Sequence, residues 1–444
     1  MQAIRVTILG WALLFAGSAL ADSYIFVTNN TPETVSIHVD HYGSRTLSSG
    51  DWAQEETEIP AYETRRVLRF NRYWGLRSGA TYHFDTHVTS GQSTVVLEQK
   101  MKGTWYGSTI EHSARGADFN APWYSDRNIH RHGTQYRDRD SQAAMKAHYT
   151  GGYDDFHYAV HNNTPVEPIS GSDELKVLTY NIYALPMVAD AIGARLAELP
   201  SHLHGYDVIM VQEAFSSSRD GFMLELALEY PYQTHIPRED FNTDDWNIYD
   251  SGIFIASRYP IVSVEDFVYP ECTGTDCHAD KAVIYAEIIK NGKAYHVTNT
   301  HAASFDTDEA RALRMVQFQQ IRDLVDAQSI PTLEPVLFGG DMNVNKLVWQ
   351  DDHAQMQAIL NATDPLSTGH DATFDPRINT LAQAYGSGGD TVEYLDYVLY
   401  ANDHLQPVSA RNDVRIPRST ADDLWRLWDL SDHFPVMGEF SFQP

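Results

Sequence analysis

Between residues 24 and 97 apolar and polar positions alternate in short runs, as in YIFVTNN, TVSIHVD, RRVLRF and STVVLEQK, with Gly, Asn and Ser clusters between them. A period of two with frequent turns predicts strands buried on one face, and so a small antiparallel sandwich. Residues 111–150 are polar, with RNIHRHGTQYRDRD at 127–140, and no element is assigned there. HNNTPVEPISGSD at 161–173 has two Pro and no period, which marks a linker, drawn at 151–173. The rhythm then changes. Buried-type strands are expected at LKVLTYNI, DVIMVQEAF, GIFIASRY, AVIYAEII, PVLFGGDMNV, YLDYVLYA and FPVMGEFSF, with helical patterns between them. The clearest is 307–328, where Ala310, Leu313, Ile321, Leu324 and Val325 fall on one arc of a 3.6-residue helix. The pattern therefore predicts a β-rich accessory domain at 22–150 and a layered α/β domain at 174–444.

Residues 1–21, MQAIRVTILGWALLFAGSALA, place one Arg before an apolar run and end small-x-small at Ala19 and Ala21. That is the form of a Sec signal peptide cut before Asp22, so the chain is expected to be secreted. The 444 residues carry 32 basic and 60 acidic side chains, a net charge of −28. Residues 22–150 hold 14 basic and 15 acidic side chains, and residues 151–444 hold 17 and 45. The negative charge thus belongs to the second domain, and it argues against non-specific nucleic-acid binding, which needs Lys and Arg for phosphate neutralisation.

Chemistry-bearing side chains close strand after strand. Asn181 ends LKVLTYN, Glu213 ends VIMVQE, His301 ends AYHVTNTH, and Asp341 and Asn343 end VLFGGDMN. Asp396 lies in YLDY, and Asp432 and His433 precede the last strand. Strand ends of layered α/β folds converge on one rim, where ligands bind. Asn, Glu and Asp together form the oxygen-rich set that Mg²⁺ prefers. Any one of these residues is commonplace at a strand end; the ordered series is not.

The set TYN, QE, NTH, GGDMN, LDY and SDHFPV resembles the endonuclease/exonuclease/phosphatase superfamily, with its DNase-I-like four-layer α/β/β/α sandwich. GGDMNV, YLDY, LSDHFPV and CTGTDCHADKAVIYAEI resemble its secreted bacterial neutral sphingomyelinase branch in particular, over about residues 172–443. The resemblance implies Glu213 as principal Mg²⁺ ligand, Mn²⁺ or Co²⁺ being alternatives, with Asn181 and Asp432 near the metal. It implies His433 as general base, Asp396 as the carboxylate that orients it, and Asp341 and Asn343 as residues positioning water and phosphoryl oxygens. His301 matches a second His at the phosphate. Asp250, in YDSGI, matches the Asp of a further, edge metal site, although Ser217 stands where relatives carry an Asn there, and Ala302 and Ala303 replace larger residues.

Cys272 and Cys277 are expected to pair as a local disulfide in an exported chain, and relatives carry a comparable Cys; too few ligands surround them for zinc. For PRSTADDLWRLWDL at 417–430 two readings stay open. Leu424, Trp425 and Trp428 either tip a membrane-contacting hairpin, as the resemblance implies, or pack in the core or form a short helix. In the first domain Arg65, Arg66, Arg69, Arg72 and Arg77 interleave with Phe70, Tyr73 and Trp74, which suits lipid headgroups or glycans, or an ordinary half-buried sheet. The expected activity is Mg²⁺-dependent hydrolysis of membrane sphingomyelin to ceramide and phosphocholine, with haemolysis as a consequence and no nucleic-acid partner. The rivals are a secreted DNase-like nuclease, another phospholipase C-type phosphodiesterase, and an adhesin acting through residues 22–150. Oligomeric state is not legible.

Overall fold

A computed structural model describes residues 21–238, 248–385 and 391–443. The signal-peptide reading falls on residues 1–21 and so lies almost wholly outside the described part. Among the described residues no helix is long and apolar enough to cross a membrane. The chain forms two compact units, divided at Thr164 and Pro165.

The first unit packs two sheets face to face. One has the order Trp52–Gln54, Thr64–Asn71, Asp22–Asn30, Asp154–Asn162, Arg139–Tyr149, His130–Tyr136; the other runs Glu58–Ile59, Val35–Gly43, Thr81–Ser90, Ser93–Thr104, Gly107–Arg115. Their inner faces meet in a core that includes Ile25, Val27, Phe70, Phe84, Leu97 and Phe156. The strict buried–exposed alternation of VSIHVD is what one covered face requires.

Within the expected linker at 151–173, residues 163–173 carry no strand or helix and contain the division between the units, but the part before them is corrected. Asp154–Asn162 is a central strand, parallel to Asp22–Asn30 on one side and antiparallel to Arg139–Tyr149 on the other. Neighbours on both edges and a covered face bury most of it, including the polar Asp155, His157 and His161, and those residues hid the pattern. The polar stretch 111–150 likewise contains strands, His130–Tyr136 at a sheet edge and Arg139–Tyr149 beside it.

The second unit is a four-layer α/β/β/α sandwich. Its seven-stranded sheet has the order Tyr232–Gln233, Phe254–Ser257, Val208–Gln212, Glu174–Asn181, Val436–Ser441, Ser409–Val414, Leu366–Gly369. The six-stranded sheet runs Ile261–Val268, Ala282–Lys290, Lys293–His301, Val336–Asp341, Asp396–Ala401, Ala362–Thr363. All seven expected strands are present. Val177, Met210, Ile255, Ile284, Val297 and Val398 fill the space between the sheets. Helices Ile192–Glu198 and Arg219–Leu226 cover one outer face, with Leu196, Phe222 and Leu226 in its core. Asp308–Ala327 and Gln350–Leu360 cover the other through Phe318, Ile321 and Met356. The first of these matches the expected 307–328 helix; its Thr307 hydroxyl caps it by accepting from the Ala310 N–H at 3.2 Å.

A buried amide clasp joins the sheets. Gln212 Nε2 donates to Asn299 Oδ1 at 2.7 Å and Thr179 Oγ1 at 3.0 Å, and Asn299 Nδ2 donates to the carbonyls of Val211 and Phe254. These amide donors, paired in an apolar interior, hold one register, because sliding would leave them unpaired. At Gly339–Gly340 the backbones approach closely. A Cβ on Gly340 would sit 2.1 Å from the Thr300 carbonyl oxygen, and its φ of +141° is glycine territory.

Candidate active site

Strand register assembles the site. His301 pairs with Asp341, and Asp341 with Asp396, so three neighbouring strands end in one polar row. In the facing sheet Asn181 pairs with Gln212, which places Glu213 just beyond the strand end, at a left-handed φ of 58°. Asn343 is also left-handed, at 53°. Asn tolerates this conformation, whereas Glu rarely adopts it, so the turn at Glu213 is backbone strain held by its surroundings.

Asn181 links the two rows. Its Nδ2 donates to Glu213 Oε1 at 3.0 Å and to Asp341 Oδ2 at 3.1 Å. His433 Nδ1 lies 2.9 Å from Asp396 Oδ2, and its Nε2 lies 3.9 Å from Asp341 Oδ2. His301 Nε2 stands 3.6 Å from Asp341 Oδ2 and 4.0 Å from Glu213 Oε1. The Asn343 N–H donates to Asp341 Oδ1 at 3.0 Å, while its side chain donates to the Ala302 carbonyl. Asp432 accepts from the Ser431 hydroxyl, and Asn379 holds its carbonyl. The structure thus brings Asn181, Glu213, His301, Asp341, Asn343, Asp396, Asp432 and His433 together.

Asp250 is not among them. Arg219 pairs with its carboxylate at 2.7 and 2.8 Å, so a guanidinium faces the oxygens that the edge-metal expectation gives to a cation. The membrane hairpin is also corrected. Leu424 and Trp428 are buried, at 1% and 4% exposure, Trp425 is partly covered, and the segment contains a 3₁₀ turn, Asp422–Leu424. Leu424 and Leu430 join the core under helix Ile192–Glu198. The buried pair Arg418–Asp429, 2.9 Å, closes the segment at its base. Cys272 and Cys277 form the expected disulfide.

The electrostatics are crowded. Glu213, Asp341, Asp396 and Asp432 are four carboxylates in one enclosed space. Burial raises the Glu213 carboxyl above its ordinary value. Burial and then the charge of Asp396 push Asp341 up to about 6, and burial with Glu213 carries Asp432 to about 7. Burial opposes charge on His433, but Asp396, Asp341 and Asp432 overcome it and hold the ring well above its usual range. His301 is held well below its own by burial, Lys281 and His433. Asp396 Oδ1 is buried with no hydrogen-bond partner among the described residues. A site short of positive charge, with oxygen donors to spare, fits a divalent cation.

Four neighbours carried no role in the sequence reading. Lys281 is buried and donates from Nζ to the Ala302 carbonyl at 3.0 Å and Ser304 Oγ at 3.1 Å, anchoring the loop after His301 and lending positive charge to the site. Asp276, inside the disulfide loop, accepts from the Ser304 N–H and lies 3.8 Å from Lys281 Nζ. A basic residue just before the apolar run AVIYAEII was the available signal. Glu393 is raised to about 7 by burial and by Asp306, and its charge is felt at His433. The buried Arg195 donates to the carbonyls of Ile182, Tyr183 and Leu430, tying the chain after Asn181 to the chain before Asp432. Ala302 and Ala303 act through backbone carbonyls, which accept from Lys281 and Arg314.

A family model described as Endonuclease/Exonuclease/phosphatase family matches residues 178–433, from within the strand that ends at Asn181 to His433 itself. The chain belongs to this family. It is accordingly an enzyme, a phosphoric diester hydrolase, of the sphingomyelinase C branch. Sphingomyelinase C of Bacillus cereus is 32% identical over 305 residues, which cover 61% of this chain and 90% of the relative. The crystal structure of sphingomyelinase C from Streptomyces griseocarneus superposes with a TM-score of 0.54 at 32% identity, over 60% of this chain and 99% of that one. A mutant beta toxin from Staphylococcus aureus, solved with bound magnesium ions, gives a TM-score of 0.55 at 31% identity, over 60% and 99%. The family match lies wholly within the second unit.

Proposed function

We propose that this family member is a secreted, Mg²⁺-dependent sphingomyelinase that releases phosphocholine from membrane sphingomyelin and leaves ceramide, with haemolysis following from that activity. The observation that carries the reading is the His433–Asp396 pair beside Asp341 at the closed row of strand ends, together with relatives that are sphingomyelinases C. Glu213, with Asn181 and Asp432 beside it, would hold Mg²⁺, which when bound supplies the positive charge that a phosphodiester and these buried carboxylates both lack. Asp396 accepts from His433 Nδ1 and so fixes the ring with Nε2 toward the reacting water; with the cation's charge offsetting the carboxylates that otherwise keep the ring protonated, Nε2 would be free to take that water's proton. Asp341 and Asn343 orient that water and a phosphoryl oxygen. His301, kept neutral by its burial, donates one hydrogen bond to phosphate rather than a proton to the leaving oxygen.

Lipid is favoured over DNA by the loops that leave these strand ends. Met187 and Val188 follow Asn181, Phe305 follows His301, and Leu347 and Val348 follow Asn343; all five are exposed, Met187 at 97%. An apolar rim suits an acyl-chain surface and offers a polyphosphate backbone nothing. The test is a panel of sphingomyelin vesicles, phosphatidylcholine vesicles and plasmid DNA, with Mg²⁺ or with EDTA. Phosphocholine release from sphingomyelin that stops in EDTA and returns with Mg²⁺ is expected. Nicking of plasmid without lipid hydrolysis would replace this reading with the nuclease.

A further inference from the structure

The first unit carries an exposed aromatic cluster that the second unit's chemistry does not use. Trp105 and Tyr106 form the tip of the hairpin between strands Ser93–Thr104 and Gly107–Arg115, at 87% and 59% exposure. Tyr73 and Trp74, at 47% and 58%, lie in the loop after strand Thr64–Asn71. The two loops are neighbours. Arg72 Nε donates to Ser108 Oγ at 2.8 Å, and the Ser108 hydroxyl donates back to the Arg72 carbonyl at 2.9 Å. A Cβ on Gly107 would stand 3.7 Å from Tyr73 Cδ2. The Arg72 guanidinium, buried and stacked 4.8 Å over Tyr153, makes this end of the sandwich stiff. Arg77 and Lys102 are exposed beside it, joined through the Gly79 N–H to Gly103 carbonyl bond of 3.0 Å, while Asp51 lies against Gly75.

Four large aromatics left in water on adjacent loops mark a contact surface. Their geometry selects its kind. Within each pair the ring planes stand at 80°, with centroids 5.0 and 5.1 Å apart, so they project as wedges and do not form the flat platform on which a sugar ring stacks. Trp and Tyr with an apolar body and a polar edge partition to the headgroup layer of a bilayer, and flanking Arg and Lys meet phosphate there. The near-neutral charge of residues 22–150 permits that approach.

We propose that this end of the first unit seats in the headgroup layer of a lipid bilayer, with Tyr73, Trp74, Trp105 and Tyr106 as the anchors. The inference rests on the lipid-substrate reading only in choosing a membrane as the surface. Its test uses the full chain carrying His433→Ala, so that no lipid is consumed, pelleted with phosphatidylcholine vesicles free of sphingomyelin. Adding Trp105→Ala and Tyr106→Ala is expected to lower vesicle affinity about tenfold or more. With dibrominated lipid, Trp fluorescence is expected to be quenched, and Trp105→Phe, which keeps a ring and the fold, to remove part of that quenching. In a chain with His433 intact, the Trp105→Ala/Tyr106→Ala pair should leave hydrolysis of detergent-dispersed sphingomyelin within twofold. Unchanged vesicle affinity in the double variant, or no quenching by brominated lipid, overturns the inference. So does retention on an immobilised polysaccharide that the double variant abolishes while vesicle affinity persists. If the native chain hydrolyses no detergent-dispersed sphingomyelin, the substrate reading falls and vesicle binding still decides this one.

Discussion

In the second unit His301, Asp341 and Asp396 stand side by side at the ends of three hydrogen-bonded strands, almost fully enclosed. In the first unit the ends of strands carry Trp74, Trp105 and Tyr106, open to water. Both units are built from two packed sheets, yet one gathers charge inside and the other displays aromatic surface. The difference follows from what each environment does to a side chain. Enclosure raises carboxyl groups and concentrates a field that a cation and a phosphodiester can use. Exposure leaves charges screened and of little use, while amphipathic rings keep a free face for a partner. Tryptophan makes the same contrast within one chain: Trp428 is at 4% exposure and Trp105 at 87%.

The comparison is broken most directly at His433. His433→Ala and, separately, Asp396→Asn are expected to lower kcat by about 10³-fold or more with the fold retained, read by phosphocholine release and circular dichroism. Activity within tenfold of the native chain would remove the His–Asp pair from the mechanism. Next is the tryptophan contrast. Trp428→Ala should cost about 3–5 kcal/mol in urea unfolding, as core Trp truncations do, whereas Trp105→Ala should stay within about 0.5 kcal/mol. Equal costs would mean that one of the two is misplaced.

A third effect concerns a titratable group hidden in the first unit. Burial, and then the nearby charge of His130, lower His112 to about 4. The unfolded chain takes up this proton near pH 6.5, and the folded chain resists until about 4. Stability is therefore whole above pH 6.5 and falls as the pH drops through that window, by about 3 kcal/mol. His112→Phe, which fits among Phe156, Tyr158 and Tyr124, should flatten that part of the pH profile. An unaltered profile would show that His112 is already charged when folded. The smallest effect is expected from the disulfide. Opening so short a loop by Cys272→Ala and Cys277→Ala should cost about 2 kcal/mol or less. A severalfold fall in kcat should accompany it, because Asp276 in that loop holds Ser304 and faces Lys281.

Sequence patterning identified the seven strands and the long helix, and placed polar residues at the strand ends, because each of these depends on local rules. Burial on two faces writes a continuous apolar run, and a polar residue that closes such a run stands out against it. The failures are physical as well. Asp154–Asn162 carries buried His and Asp that mimic a loop, and its strand identity comes from neighbours far away in sequence. Leu424 and Trp428 have the composition of an exposed tip, but Leu424 joins the core with Leu196 and Leu430, and Trp428 is buried at 4% exposure. Asp250 has the right residue type for a cation; its partner, Arg219, lies 31 positions away. Lys281 is an ordinary strand-flanking lysine until the His301 loop folds over it.

The sequence by itself determined which residues can do chemistry, in what order they arrive, and that 174–444 is layered while 22–97 is alternating. Tertiary structure decided which oxygens face one another, which cation each carboxylate receives, and which tryptophans meet water. Those outcomes depend on register and packing between distant segments, where a single residue of slip would turn each side chain to the opposite face.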